Sequence, residues 1–420
     1  MTNLYDMTMR TLELSLKMMA KLSSRHTSSK LISLAHGQQR LLSTLQSDME
    51  AYPHSIPTVW VHAASLGEFA VVRPLIARLK KDKPCRIIVT FFSPTGVHAL
   101  QKYHPGIDHV YYLPIDTHRN ACRFLDAVKP DMAVFTISEM WCNYLDELKK
   151  RNIPTFLVSA LIKNDSSIMK WYGGYFRKRL SAYHMIFVLD CASEARLHSM
   201  GCHHVSVAGD PLFDHADWVA HQPWQDTIID HFARQGQIFI AGGISDKKDL
   251  LLVSQLANRH QDIRFIFVPH EISEEKLNEI KYELRGYSKL YSECDADTDF
   301  TSVQVLIIDF LGALPYLYRY ARWAYVGGGF TPLLHSVTEA TVYGIPVAIG
   351  PNIRRKTTPL QLQKLGIESS VKNFSDLDRW FRSLKNNEQE LERIKLTAAR
   401  YVHKNLGATD RIIQIMEASL

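Results

Sequence analysis

The sequence predicts an α/β protein of two Rossmann-like, doubly wound domains facing a central cleft. Three observations carry the α/β class and the two domains. From residue 58 onward, short apolar, β-branched runs alternate with helical stretches, the pattern of parallel sheets covered on both faces. That rhythm breaks at 209–227 (GDPLFDHADWVAHQPWQDT) and then starts again. A chain of 420 residues is also too long for one ordinary domain and suits two.

In the first series the runs 59–63, 86–92, 132–137, 155–160, 185–189 and 204–208 read as strands, with helices at 69–81, 119–128 and 144–151. The second series places strands at 237–241, 265–269, 305–309, 323–326 and 346–349, and 388–420 is helical by composition. The domains are therefore drawn at 46–208 and 228–420, joined by 209–227. Residues 1–45 form a separate amphipathic helical segment. Tyr5, Met9, Leu12, Leu16 and Met19 share one helical face, while Asp6, Arg10, Glu13, Lys17 and Lys21 share another. A membrane-interface helix followed by Arg25, Lys30 and Arg40 fits this pattern, and so does a helix packed on the protein's own body.

A hydrophobic share of 46% and a charged share of 22% exclude disorder. The net charge of +6 is dispersed; it does not demand nucleic acid, and an anionic membrane surface or a phosphorylated ligand suits it. Six cysteines stand far apart with no C-x-x-C pair, which reads as reduced thiols in a cytosolic protein. No stretch approaches the roughly 20 apolar residues of a membrane span. Asp6, Arg10, Glu13 and Lys17 interrupt any signal-peptide core.

Candidate chemistry lies at the strand ends. VWVHAASLGEF (59–69) leads a strand through a small-residue turn to Glu68, which is either a helix-start carboxylate or a group facing a cleft. Glu139, with Trp141, follows another strand, and His270 and Glu271 end one in the second series. Gly242-Gly243 and Gly327-Gly328-Gly329 sit where backbone N–H groups could hold a phosphate, although neither G-x-G-x-x-G nor G-x-x-x-x-G-K-[ST] is present. Ser336 and Glu339 have the S-x-x-E spacing of a capping box; Glu339 could instead accept bonds from ribose hydroxyls. Asp295, Asp297 and Asp299 read as a solvated acidic loop, since the glycine and distal Glu of a calcium loop are absent.

These residues stand within a longer ordered run: HAASLGE, FFSPTG (91–96), YLPID (112–116), SEMWCN (138–143), GDPLFD (209–214), VPHE (268–271), YVGGGF (325–330), HSVTEA (335–340) and YGIPVAIGPN (343–352). Together they resemble the Kdo transferases, which add 3-deoxy-D-manno-octulosonic acid to lipid A precursors. The resemblance implies the two-domain B-type glycosyltransferase fold and an inverting glycosyltransferase of lipopolysaccharide biosynthesis at the cytoplasmic face of the inner membrane, bound peripherally or by an interfacial anchor. CMP-Kdo would be the donor and a lipid A precursor the acceptor, with no metal or other cofactor and no nucleic-acid partner. It makes 46–208 the acceptor domain and 228–420 the nucleotide-sugar domain. Glu68 becomes the general base and Glu139 the second acidic residue. His270, Gly327, Gly328, His335, Ser336 and Glu339 become donor-site residues. The chain departs from the family pattern at Leu212 (usually Arg), Gly243-Ile244 (Ser-Ser/Thr), Ser336 (Asn), Cys142 (Pro) and Lys163 (Arg). Those departures admit another nucleotide-activated acidic sugar as donor, or a non-catalytic lipid A-binding paralogue.

Overall fold

The computed structural model describes residues 2–23, 29–51, 56–100, 106–331, 333–353 and 356–419, so Arg25 lies outside the described residues. It contains two compact units: residues 1–215 with 406–420, and residues 216–405. Each is built on a seven-stranded parallel sheet wrapped by helices, as the α/β class requires.

The first sheet comprises β1 (Thr58–Ala63), β2 (Arg86–Phe91), β3 (His109–Tyr112), β4 (Met132–Thr136), β5 (Thr155–Ala160), β6 (Met185–Val188) and β7 (Val205–Val207), in the order β3-β2-β1-β4-β5-β6-β7. Strands β1, β2, β4 and β5 are buried along their whole length, which is why they read as unbroken apolar runs. The helices before β4 are α1 (Thr2–Leu22), α2 (Lys30–Gly37), α3 (Leu41–Glu50), α4 (Leu66–Asp82), α5 (Pro94–Leu100) and α6 (His118–Val128); α7 (Cys142–Lys150) follows it.

The second sheet comprises β8 (Ile238–Ile244), β9 (Arg264–Pro269), β10 (Ser288–Leu290), β11 (Val305–Ile307), β12 (Ala321–Val326), β13 (Val347–Ile349) and β14 (Glu368–Ser370), in the order β10-β11-β9-β8-β12-β13-β14. Its core is as continuous as the first, with Trp323, Tyr325, Phe239 and Phe265 fully buried.

The boundary between the units, at 215/216, lies inside the segment 209–227, within a helix, Pro211–His221. One expectation differs from what is found. The end of the chain does not stay with the second unit: the helix Ala408–Glu417 buries Ile412, Ile413 and Met416 in the first core. Arg78 (2.8 Å to Asp410) and Lys83 (3.0 Å to the Glu417 carbonyl) hold it there.

The apolar face read from the sequence on α1 points inward except at Leu12, which is exposed. Leu16 and Ala20 are buried, Met9 and Met19 pack on the same core, and Tyr5 donates to Asp116 at 2.7 Å. A second stripe, Leu4, Met7, Leu14, Met18 and Leu22, falls on the opposite face in steps of three, seven and four residues. It is exposed, from 62% at Leu14 to 86% at Leu22. Among the described residues no helix is long and apolar enough to cross a membrane.

Candidate active site

In the first unit the strand order reverses between β1 and β4, and their carboxyl ends open the kind of crevice where doubly wound sheets bind ligands. β1 runs into Ser65, whose hydroxyl caps α4 by accepting the Glu68 N–H at 3.4 Å. Glu68 is therefore a first-turn carboxylate, but its side chain also turns back toward the strand ends. Its Oε2 accepts the Ala64 N–H at 3.0 Å and the hydroxyl of Thr136, the last residue of β4, at 3.2 Å. Both bonds fall on Oε2, which leaves Oε1 as the basic atom.

Glu139 reaches the same place from β4. Just past the strand, Ile137 has φ +58°, a left-handed conformation that is costly for a β-branched residue. Its N–H is tied to the Val158 carbonyl at 2.7 Å, and the bend turns the chain sharply out of the sheet. The Trp141 indole N–H donates to Glu139 Oε2, and the Tyr183 hydroxyl donates to the Glu139 carbonyl at 2.5 Å. Fully buried His62, on β1, brings Nε2 to 3.5 Å from Glu139 Oε2. The other ring nitrogen, Nδ1, lies 2.9 Å from Thr90 Oγ1, which also accepts the Trp60 indole N–H at 2.8 Å. When Thr90 gives its hydroxyl proton to Nδ1, Nε2 carries the ring N–H toward Glu139.

Burial raises the Glu68 carboxyl above its ordinary range, and the nearby Glu139 charge raises it further. The Ala64 N–H, the Thr136 hydroxyl and His62 pull it down without cancelling the rise. Two carboxylates thus occupy one pocket in different settings, Glu139 clamped by an indole and Glu68 left with one open oxygen.

The start of α7, just after Trp141, has no cap from its own residues. Buried Asp116 supplies one from outside, accepting the N–H groups of Asn143 (3.2 Å) and Tyr144 (3.1 Å). The same carboxylate accepts Tyr5 from α1, and burial pushes its pKa up to about 6. Asp116 is a positioning residue for the Glu139–Trp141 turn. The YLPID motif contains it, but spacing alone gave it no role.

The second sheet reverses between β8 and β12, and there the glycine turns meet. The Gly327 N–H donates to the Gly242 carbonyl at 2.9 Å, and the His335 N–H donates to the Gly327 carbonyl at 3.1 Å. Gly243 has φ +66°, and a Cβ there would lie 2.6 Å from the His335 ring. The departure from Ser at this position therefore matches the seat of His335. His270, at the end of β9, stacks obliquely on His335 with ring centroids 4.4 Å apart. Burial, then His270 and Lys356, lower the His335 pKa to about 4, so it is a neutral hydrogen-bonding ring at neutral pH and not a cation.

The capping box expected at Ser336 and Glu339 is not formed. The short helix starts at Thr338 with Val337 at its cap and no side-chain cap bond. Instead, His335 Nε2 and Ser336 Oγ are buried atoms with no hydrogen-bond partner, a state that a polar ligand would relieve. Glu339 sits half-buried in that helix. Sequence reasoning missed Asp249, fully buried, whose carboxylate accepts the Gly328 N–H (2.7 Å) and the Tyr325 hydroxyl (2.6 Å). The acidic triplet does no more than shape its own loop: Asp295 and Asp299 accept from Asp297, Thr298 and Thr301.

Comparison with known proteins adds likenesses of sequence and of fold. Residues 35–215 match the model of the family described as 3-deoxy-D-manno-octulosonic-acid transferase (kdotransferase). The chain is similar to the 3-deoxy-D-manno-octulosonic acid transferase of Aquifex aeolicus, at 26% identity over 80% of this chain and 88% of that one. Its similarity to the Haemophilus influenzae protein of the same name is 24% over 86% and 87% of the two chains. Among solved structures, UDP-GlcNAc 2-epimerase from Neisseria meningitidis aligns over 86% of this chain and all of that one (TM-score 0.60, 16% identity). The glycotransferase of kitacinnamycin aligns over 87% and 100% (TM-score 0.53, 12% identity). These structural likenesses speak for the two-sheet fold alone.

Proposed function

We propose that this chain, which is similar to the Kdo transferases, transfers Kdo from CMP-Kdo to a lipid A precursor by direct inverting displacement. The observation that carries the reading is the pairing of Glu68 and Glu139 at the β1/β4 switch point, with Glu68 Oε1 open to a substrate hydroxyl. In the step, the acceptor oxygen attacks the anomeric carbon and its proton passes to Glu68. The bond from that carbon to the CMP phosphate oxygen breaks, and CMP leaves with the electron pair. Glu139, clamped by Trp141 and faced by His62, orients the acceptor. Gly327, Gly328, His270, His335 and Ser336 bind the CMP end, the last two through their unpartnered atoms, and Glu339 binds ribose. Positive ends of N–H groups take up the leaving charge, and no metal or cofactor is assigned a step.

The test is to incubate purified protein with CMP-Kdo and a lipid A precursor and weigh the lipid by mass spectrometry. Added mass of one or more Kdo units is expected. CMP binding without added mass would replace Kdo by another acidic sugar, and absence of both would favour a binding paralogue.

We further propose that the exposed stripe of α1 lies on the anionic inner-membrane surface at its cytoplasmic face. Arg10, Lys17 and Lys21 border it, so apolar burial and charge attraction act together. Leu14→Glu with Met18→Glu alters only solvent-facing positions. This pair should abolish co-sedimentation with vesicles containing anionic lipid while leaving transfer to detergent-dispersed acceptor intact. Unchanged pelleting would exclude the stripe as the contact.

A further inference from the structure

Away from the Glu68 cluster, α6 and α7 bring together three groups of different chemistry. His118 and Cys122 stand one turn apart on α6, with Nδ1 and Sγ at 3.3 Å. Glu147, on α7, places Oε1 3.9 Å from the same Nδ1. One nitrogen, one sulfur and one oxygen lie within 4.8 Å of one another, the spread of ligands around a single small cation. We propose that His118, Cys122 and Glu147 bind one thiophilic divalent cation of the zinc type, with water in the fourth position.

Several features suit the three residues to this. All sit on helices, so their Cα positions are fixed before a cation arrives. Glu147 is buried, with a basic side chain, Lys150 or Arg151, beside each of its carboxylate oxygens. Arg151 contacts Oε2 at 3.5 Å and also donates to the Cys122 carbonyl at 3.4 Å, serving as an outer-layer partner that positions two ligands at once. Lys150 is on Oε1 at 3.2 Å, but its side chain is 71% exposed and can swing into water as a cation takes that oxygen. The free Cys122 thiol carries a proton that a bound cation must displace. Binding therefore replaces an S–H bond by an S–metal bond and releases one proton per ion. The cation would pin α6 to α7. It would also brace the His118 N–H, which anchors Asp6 of α1 at 2.8 Å.

The probes are Zn²⁺ and Co²⁺ with the full-length protein. One equivalent of Co²⁺ should give a thiolate-to-cobalt charge-transfer absorption with release of one proton, and Zn²⁺ should abolish the absorption by displacing Co²⁺ with no further proton release. Cys122→Ser should remove the absorption, and His118→Ala should weaken Zn²⁺ binding by about 100-fold or more, since loss of even an outer-layer partner costs 10–100-fold. Zn²⁺ should also slow alkylation of Cys122 in the unaltered protein while sparing exposed Cys191, a readout that needs no variant to fold. Absorption that survives Cys122→Ser, or equal alkylation of Cys122 with and without Zn²⁺, would overturn the site. Lipid A transfer is not a readout here, so failure of the metal site leaves the transferase reading untouched.

Discussion

Glu68→Gln is expected to lower the transfer rate by about 100-fold or more while leaving the melting temperature close to that of the parent. The amide keeps an oxygen that can accept the Ala64 N–H and the Thr136 hydroxyl, so the turn between β1 and α4 stays satisfied. What it loses is the capacity to take a proton at the position of Oε1. Rates within a few-fold of the parent would exclude Glu68 as the base.

The pH dependence gives the same prediction a sign. The Glu68 carboxyl is raised by burial and by Glu139, and only its ionised form accepts the proton. Transfer should therefore fall as pH drops through a pKa above the ordinary carboxylate range. Glu139→Gln removes one of the two raising influences, so the acid limb of kcat/KM should move to lower pH even where the maximal rate also falls. A limb that stayed in place would mean that the two carboxylates do not share a pocket.

The central strands were legible because parallel strands buried on both faces are written as unbroken apolar runs. The short edge strands β3, β10 and β14 (HVYY, SKL and ESS) were not, for three or four half-polar residues leave no such signature. On α1 the sequence analysis singled out one apolar face and missed the stripe from Leu4 to Leu22, which stands out only once packing shows which face turns inward. Glu68 and Glu139 could be read because each follows a strand within a motif. His62, Thr90 and Thr136 could not, since a polar residue inside an apolar strand has no periodic signal. Asp116 and Asp249 were hidden for a third reason: each serves backbone N–H groups far away in sequence.

Asp249 shows how much rests on such a residue. It stands in the first turn of the helix Lys247–Arg259, whose cap is Asp246. Its carboxylate reaches back to the Ser245 N–H (3.3 Å) and hydroxyl (3.2 Å) and across to Gly328 and Tyr325, joining the ends of β8 and β12. Asp249→Ala would strand several buried donors at roughly 1–3 kcal/mol each, a loss of about 3–5 kcal/mol. For a unit of this size that is a fall of about 10 °C in Tm. Gly328 holds φ +83° with the Asp249 bond on its N–H, so the glycine turn should loosen before the unit unfolds. CMP affinity, measured well below the melting range, should then weaken by about tenfold, or 1.4 kcal/mol. A lower Tm with unchanged CMP affinity would confine Asp249 to stability and move the nucleotide away from the Gly327–Gly328 turn.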